Sequence, residues 1–257
     1  MCIIFDIETG PLPLETIQEK LPPFDKSEIK HPGEFDPAAV KVGNMIDQTK
    51  INVKIEKARQ AHADAVSSYA DNVQRAEKKH WLDIMDRAAL SPITGQIVAI
   101  GYSGKGAKLD AAINNRSEKE LLLFFWKQYE KARAAGRKLI GFNIKEFDVP
   151  FICQRSWIHR IDVPASILTP THYLASTFLD LMDVWRVGSR SRGPAGHGTL
   201  DTICKSLGLP GKPDSCTGDK FAQMLWSDDE HDRDAALAYL ANDLNMTLKL
   251  AQHLGAA

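Results

Sequence analysis

Three groups of residues in this 257-residue chain have the types and the spacing to do chemistry. The first is Asp6-x-Glu8, at the end of the apolar run that starts at Cys2. In an extended strand, residues two apart point to the same side, so the two carboxylates converge on one point. Such a pair repels itself unless a cation neutralises it, and hard divalent ions with oxygen ligands do so. Taken alone, the pair also reads as a strand-end cap.

The second group lies in Gly141-Phe142-Asn143-Ile144-Lys145-Glu146-Phe147-Asp148. A short apolar strand over 138–142 ends in Gly-x-Asn, a turn follows, and Asp148 stands where a helix begins. There it serves as an N-cap or as a ligand. Asn143 can hydrogen-bond within the turn or to a substrate. The third group is Tyr239-x3-Asp243, in the last helical segment. A spacing of four puts the phenol and the carboxylate on one helix face, where they serve a common site.

In this order the three groups resemble the DEDD superfamily of 3'-to-5' exonucleases. In detail they resemble the proofreading exonuclease domain of family B DNA polymerases, here in a stand-alone version. The resemblance covers residues 1–9 and about 92–254. Tyr239 stands four residues before Asp243, and Ala238 stands where the histidine branch carries its histidine. The chain therefore resembles the tyrosine (DEDDy) branch, not the oligoribonuclease or epsilon-subunit types.

The resemblance implies an α/β, ribonuclease H-like fold, with a mixed central sheet flanked by helices and a long helical insertion after the first strand. It implies two divalent cations, Mg²⁺ or Mn²⁺, since carboxylates and water suit these better than Zn²⁺. Asp6 bridges both ions, Glu8 and Asp243 hold the one that activates the attacking water, Asp148 holds the other, and Tyr239 orients the water. Such a clamp stabilises the attacking and leaving oxygens of a displacement at phosphorus. By the same resemblance the backbone of Thr9 contacts the terminal nucleotide, and Asn143 and Phe147 line its site. Phe147 reads equally as a stacking residue or as core. Lys212, in Gly208-Leu209-Pro210-Gly211-Lys212, resembles a Gly-Lys pair of the family that approaches the scissile phosphate or the strand backbone. Arg190 and Arg192, with Arg186 and His197, form a basic cluster that reads as a phosphate contact or as a solvated loop. Asp180 and Asp183 are candidates to support the ligands, and Asp201 reads as a first-turn charge that suits a helix dipole. The activity implied is metal-dependent release of nucleoside monophosphates from a free 3' end, with single-stranded DNA first and RNA next. The alternative is a weakly active nucleic-acid-binding module, recruited through the insertion.

Composition and periodicity set the elements that must position these residues. The chain is 44% hydrophobic and 25% charged, an ordinary globular balance. One domain over 1–257, with an insertion at 10–91, is the expectation. A net charge of -1 announces no global basic field, but local patches can still contact phosphates. The four cysteines form no CxxC pair, which suggests reduced thiols in an intracellular setting. The first ten residues do not read as a signal peptide and the apolar run 121–126 is too short to cross a bilayer, so a cytoplasmic protein is expected. Strands are expected at 2–7, 96–102, 108–113, 138–142 and 174–184. Helices are expected at 117–136, where Ser117 and Glu120 suggest a capping box, and at 149–157, 199–207, 220–226 and 232–254. The proline-rich stretch 10–43 reads mostly as loop. Residues 44–91 contain no Gly or Pro and keep a helical period, so they form one long arm or a hairpin bent near 66–68, with scope for a partner or a dimer.

Overall fold

The computed structural model describes residues 2–103, 112–113, 117–167, 177–187, 198–212 and 218–257. Its contacts divide the chain into two compact units, Met1–Pro13 with Arg87–Ala257, and Leu14–Asp86. The strands are β1 (Ile3–Pro11), β2 (Gly95–Ser103), β3 (Ala112–Ile113), β4 (Leu139–Gly141) and β5 (Phe178–Asp180). The helices are α1 (Leu14–Lys20), α2 (Gln48–Ala88), α3 (Glu118–Ala134), α4 (Asp148–Ile158), α5 (Leu181–Arg186), α6 (Leu200–Ser206), α7 (Gly218–Leu225) and α8 (Glu230–His253).

The first unit is built on a five-stranded sheet in the order β3-β2-β1-β4-β5. β1, β2 and β3 are antiparallel, and β4 and β5 run parallel to β1. This is the mixed, helix-flanked sheet expected from the sequence. Alternation along β1 splits the core in two. Phe5 and Ile7 pack with Leu122, Phe125 and Tyr129 of α3 and Ile152 of α4. Ile4 packs on the other side, with Phe221 of α7 and Leu240 and Leu244 of α8. Asp6 and Glu8 share the parity of Ile4, so they face the α8 side.

Two features fix how closely the helices approach this strand. Gly101 of β2 lies opposite Asp6 in the ladder. A Cβ there would meet Leu244 Cδ1 at 2.8 Å and Leu240 Cδ1 at 2.9 Å, so the bare backbone at Gly101 is what lets α8 lie on the sheet beside Asp6. The register shifts between Glu8 and Thr9, where Val98 is the extra residue on β2. The N–H of Ile97 next to it donates to the buried carboxylate of Glu118 at 2.7 Å. Arg155 and His159 close around that carboxylate, at 2.9 Å from Arg155 Nε and 2.7 Å from His159 Nε2.

The turn after β4 is held by one side chain. Asp180 is 2% exposed. Its Oδ1 accepts from the N–H of Asn143 at 2.8 Å and of Met182 at 2.9 Å, and its Oδ2 accepts from the N–H of Lys145 at 2.9 Å. These bonds pin the 143–145 turn to the start of α5. Asn143 takes a left-handed backbone there, with φ at 61°. Asn adopts that conformation more readily than most residues.

Several expectations are corrected. The strand expected over 174–184 is confined to Phe178–Asp180 among the described residues, because Asp180 caps a helix and ends the strand. The strand expected over 108–113 is seen only at Ala112–Ile113, since 108–111 lie outside the described residues. Ser117 makes no side-chain cap bond, so the capping box with Glu120 does not form. The stretch read as loop from Gly10 onward carries the end of β1 and the helix α1, which fits between Pro13 and Pro22. The long segment is one unbroken helix, α2, of 41 residues and about 60 Å, with no bend at 66–68.

In the second unit the proline-rich segment runs back along α2. Phe24, His31 and Phe35 meet His80, Tyr69 and His62, with ring centroids 5.4, 4.6 and 5.5 Å apart. Steps of seven and eleven residues along α2 are close to two and three turns, so the three helix rings share one face. Arg59 adds its guanidinium over the Phe35 ring at 5.1 Å. Ring contacts of this kind are worth about 0.5–1.5 kcal/mol each beyond area burial.

Gly101→Val is expected to destabilise the fold by about 1–3 kcal/mol through overpacking against Leu240 and Leu244. Asp180→Asn keeps an oxygen for Asn143 and Met182 but turns an amide donor toward the Lys145 N–H, an expected loss of about 1–3 kcal/mol. Urea unfolding measures both, and an unchanged midpoint in either variant contradicts the contact assigned to it.

Candidate active site

Asp6, Glu8 and Asp243 each offer an oxygen, and these oxygens all lie within 4.8 Å of one another. The first two come from one strand at a spacing of two, and the third comes from α8 across the contact that Gly101 allows. Asp148 joins from α4. It is the first helical residue, after Phe147 at the cap position, and is 3% exposed. Its carboxylate accepts the N–H of Ile7 at 3.2 Å. β4 pairs only with Ile3 and Ile4, so the N–H of Ile7 lies beyond the reach of that strand and turns to Asp148 instead. The same carboxyl group hydrogen-bonds Asp6. Asp148 is thus neither an N-cap nor a solvated acid, and all four acids meet at the middle of β1.

Tyr239 lies one turn before Asp243 on α8. Its hydroxyl accepts a hydrogen bond from Lys212 Nζ at 2.6 Å, and the same ammonium donates to Asp243 Oδ2 at 2.5 Å. Lys212 also lies 4.5 Å from the centroid of the Tyr239 ring. The turn that delivers Lys212 is anchored by Asp201, whose Oδ1 accepts the Lys212 N–H at 2.6 Å. A Cβ on Gly211 would come within 2.5 Å of that oxygen, so the turn needs glycine there. Asp201 does sit in the first turn of α6 as its sequence position suggests, but its carboxylate also builds the site.

Gathering these acids is unfavourable. Burial, then Asp148, Glu8 and Asp243 in that order, hold Asp6 well above the ordinary carboxylate range, and Lys212 opposes them. Burial and Asp243 push Glu8 up to about 8, with Lys212 again opposing. Burial raises Asp148 to about 7 although the Ile7 N–H lowers it. Burial raises Asp243 while Lys212 and Tyr239 pull it down. For Lys212, burial favours the neutral amine, but Asp243 and Tyr239 outweigh it and keep the group charged. Burial pushes the Tyr239 phenol up to about 12, so it stays protonated near neutral pH.

The donor set is all oxygen, and Asp243 Oδ1 is buried with no hydrogen-bond partner. An orphaned carboxylate oxygen beside two more acids fits a hard divalent cation. Thr9 follows Glu8 past the bulge and is half-buried. Asn143 is half-buried, with its N–H taken by Asp180. Phe147 packs against the core and tilts on Phe151 at 5.5 Å, which favours the core reading of that residue. Arg190, Arg192 and His197 lie outside the described residues. Arg186, grouped with them in the sequence, pairs with Glu146 at 3.1 Å. Asp183 pairs with Lys145 at 2.9 Å. Asp180 organises the turn before Asp148 through backbone N–H groups, a capping duty that the strand reading of 174–184 concealed.

No curated protein is significantly similar to the chain. Among solved structures, the family B DNA polymerase from the hyperthermophilic archaeon Pyrobaculum calidifontis matches with a TM-score of 0.52 and 17% identity. That match covers 66% of this chain and 23% of the polymerase, so the chain spans less than a quarter of that protein and the likeness speaks for the fold alone. A family model described as "Predicted 3'-5' exonuclease related to the exonuclease domain of PolB" matches residues 91–247, which hold Asp148, Lys212, Tyr239 and Asp243. With more than half of its length matched, the chain belongs to this family of predicted 3'-5' exonucleases.

Proposed function

We propose that the chain is a divalent-metal-dependent 3'-to-5' exonuclease of the DEDDy type, acting on single-stranded DNA, with RNA as the alternative substrate. The observation that carries this is the convergence of Asp6, Glu8 and Asp243 within 4.8 Å, with Asp148 bonded to Asp6 and Tyr239 alongside. In the reaction, water adds to phosphorus and the P–O bond to the preceding 3' oxygen breaks. The products are a nucleoside 5'-monophosphate and a strand shortened by one residue with a 3' hydroxyl.

Asp6, Glu8, Asp148 and Asp243 are the residues that would hold two divalent ions, Mg²⁺ or Mn²⁺. Bound there, the ions supply Lewis-acid stabilisation of the attacking and leaving oxygens. Tyr239, protonated at neutral pH, orients the water by hydrogen bonding and is not its base. Lys212 offers a charged donor to a phosphate, and Thr9 and Asn143 border the terminal nucleotide. Stacking and phosphate contacts suffice for a nuclease that does not read sequence.

The 10–91 insertion is read as an accessory part of one 1–257 domain. Val53 and Val66 of α2, 65% and 43% exposed, offer apolar surface to a protein partner or a second copy. No helix among the described residues is long and apolar enough to cross a membrane. Cys2, Cys153 and Cys204 are free thiols, which supports a cytoplasmic setting.

Incubation of 5'-labelled DNA and RNA of one sequence with Mg²⁺, Mn²⁺ or EDTA tests the activity. A ladder shortening from the 3' end, absent in EDTA, is expected. In Asp148→Ala the rate should drop about a thousandfold, the equivalent of roughly 4 kcal/mol of transition-state stabilisation. Intact strands under all conditions would reject the reading. Asp6→Asn should be equally inactive, yet should melt no lower than the parent in EDTA because it removes a repelling charge. A lower melting temperature would make Asp6 a structural residue.

Stability should also depend on pH in a defined direction. Glu8 near 8 and Asp148 near 7 retain protons in the fold that the unfolded chain releases near 4.5 and 3.8. The unfolded state therefore binds fewer protons in that window, and metal-free stability falls as pH rises from about 5 to 8. Saturating Mn²⁺ should flatten this slope. Melting curves in EDTA that rise toward pH 8 would contradict the raised values.

A further inference from the structure

Among the described residues, the positive charge facing the acids is the Lys212 ammonium, and its position is built in several steps. Asp201 holds the Lys212 N–H, and Gly211 lets the turn close on Asp201. The side chain then reaches Asp243 Oδ2 at 2.5 Å and Tyr239 at 2.6 Å. Its own side chain remains 31% exposed, whereas that of Asp243 is 9% exposed. One oxygen of Asp243 is therefore taken by the lysine, and the other is buried without a hydrogen-bond partner.

We propose that Lys212 is a built-in counter-cation, which holds Asp243 and Tyr239 in place until a divalent ion binds and is then turned off Asp243 into solvent. The inference rests on the metal reading above and deepens it. Four carboxylates carry at most four negative charges, which two divalent ions already neutralise, so an ammonium still held on Asp243 beside them would be repelled. The divalent ion gains all three carboxylates, whereas the ammonium holds only Asp243 and the phenol. The partly exposed side chain gives the lysine a way out, and Asp201 keeps its backbone in place while the side chain swings. The arrangement also accounts for how so many acids stand together before any ion is bound.

Mass-spectrometric labelling of lysine amines on the full chain tests this, in EDTA and in saturating Mn²⁺ at one pH. Lys212 is expected to be protected in EDTA and to label about tenfold faster with Mn²⁺, an equilibrium shift of about 1.4 kcal/mol. Lys50, with a side chain 74% exposed, is the reference and should label equally in both states. In parallel, Lys212→Met should bind Mn²⁺ about tenfold more tightly by calorimetry, again about 1.4 kcal/mol, and should melt lower than the parent in EDTA.

Equal labelling of Lys212 in the two states overturns the proposal, as does an unchanged Mn²⁺ affinity in a folded Lys212→Met. If that variant does not fold, the labelling decides, since it uses the parent chain. A parent chain whose melting temperature Mn²⁺ leaves unchanged would remove the metal reading and this proposal with it. A metal-induced shift with Lys212 still protected would remove the proposal alone.

Discussion

Four carboxylates gathered at the middle of one strand repel each other, and burial withdraws the water that would screen them. An isolated ion in such a place costs several kcal/mol, so the fold must supply either protons or cations. It supplies both. Asp6, Glu8, Asp148 and Asp243 are all held above their ordinary range, and Asp148 shares a hydrogen bond with Asp6. Lys212 opposes the rise at Asp6, Glu8 and Asp243. The polar machinery around the site reads as the means of bearing this repulsion in a fixed geometry.

That geometry depends on three local supports, each of a different kind. α8 is set by the missing side chain at Gly101, which admits Leu240 and Leu244. α4 is set by the bond from Ile7 to Asp148, prepared by the turn that Asp180 ties down. The Lys212 turn is set by Asp201 and Gly211. The acids thus come from elements far apart in the chain, while each acid's immediate support is short-range and rigid. A backbone shift of about 1 Å is enough to spoil such a site, which explains why carboxylates bonded to backbone N–H groups hold the turns.

Much of this was legible in the sequence, because it rests on periodicity. A spacing of two put Asp6 and Glu8 on one side of β1, and a spacing of four put Tyr239 and Asp243 on one side of α8. The apolar runs gave the strands near Ile4, Ile100 and Ile140. What escaped was tertiary. Asp180 has a strand before it and a helix after it, and only the fold tells which one its carboxylate serves. Glu118 follows a good cap residue, but a bulged N–H on β2 and the guanidinium of Arg155 draw it inward. α2 stays helical through Val66-Ser67-Ser68 because no Gly or Pro interrupts it, and the rings of Phe24, His31 and Phe35 supply partners that an isolated Ala-rich helix lacks.

The contrast between the two units follows from what each must hold. In the first unit, large aliphatic and aromatic side chains pack on both faces of the sheet, and rigidity is needed because charges are being held together against repulsion. In the second, the helix turns His62, Tyr69 and His80 toward the strap, which answers with rings spaced to meet whole turns. Pairing at steps of seven and eleven residues specifies one register between strap and helix, since a slip of a single residue would rotate every helix ring away by about 100°. Few large aliphatic side chains are needed for such a unit. Between Phe24 and His31 the strap makes a 3-10 turn over Lys26–Glu28, and Pro32 follows His31. The strap rings stand seven and four residues apart where those of α2 stand eleven and seven apart, as suits a segment that rises more per residue than an α-helix.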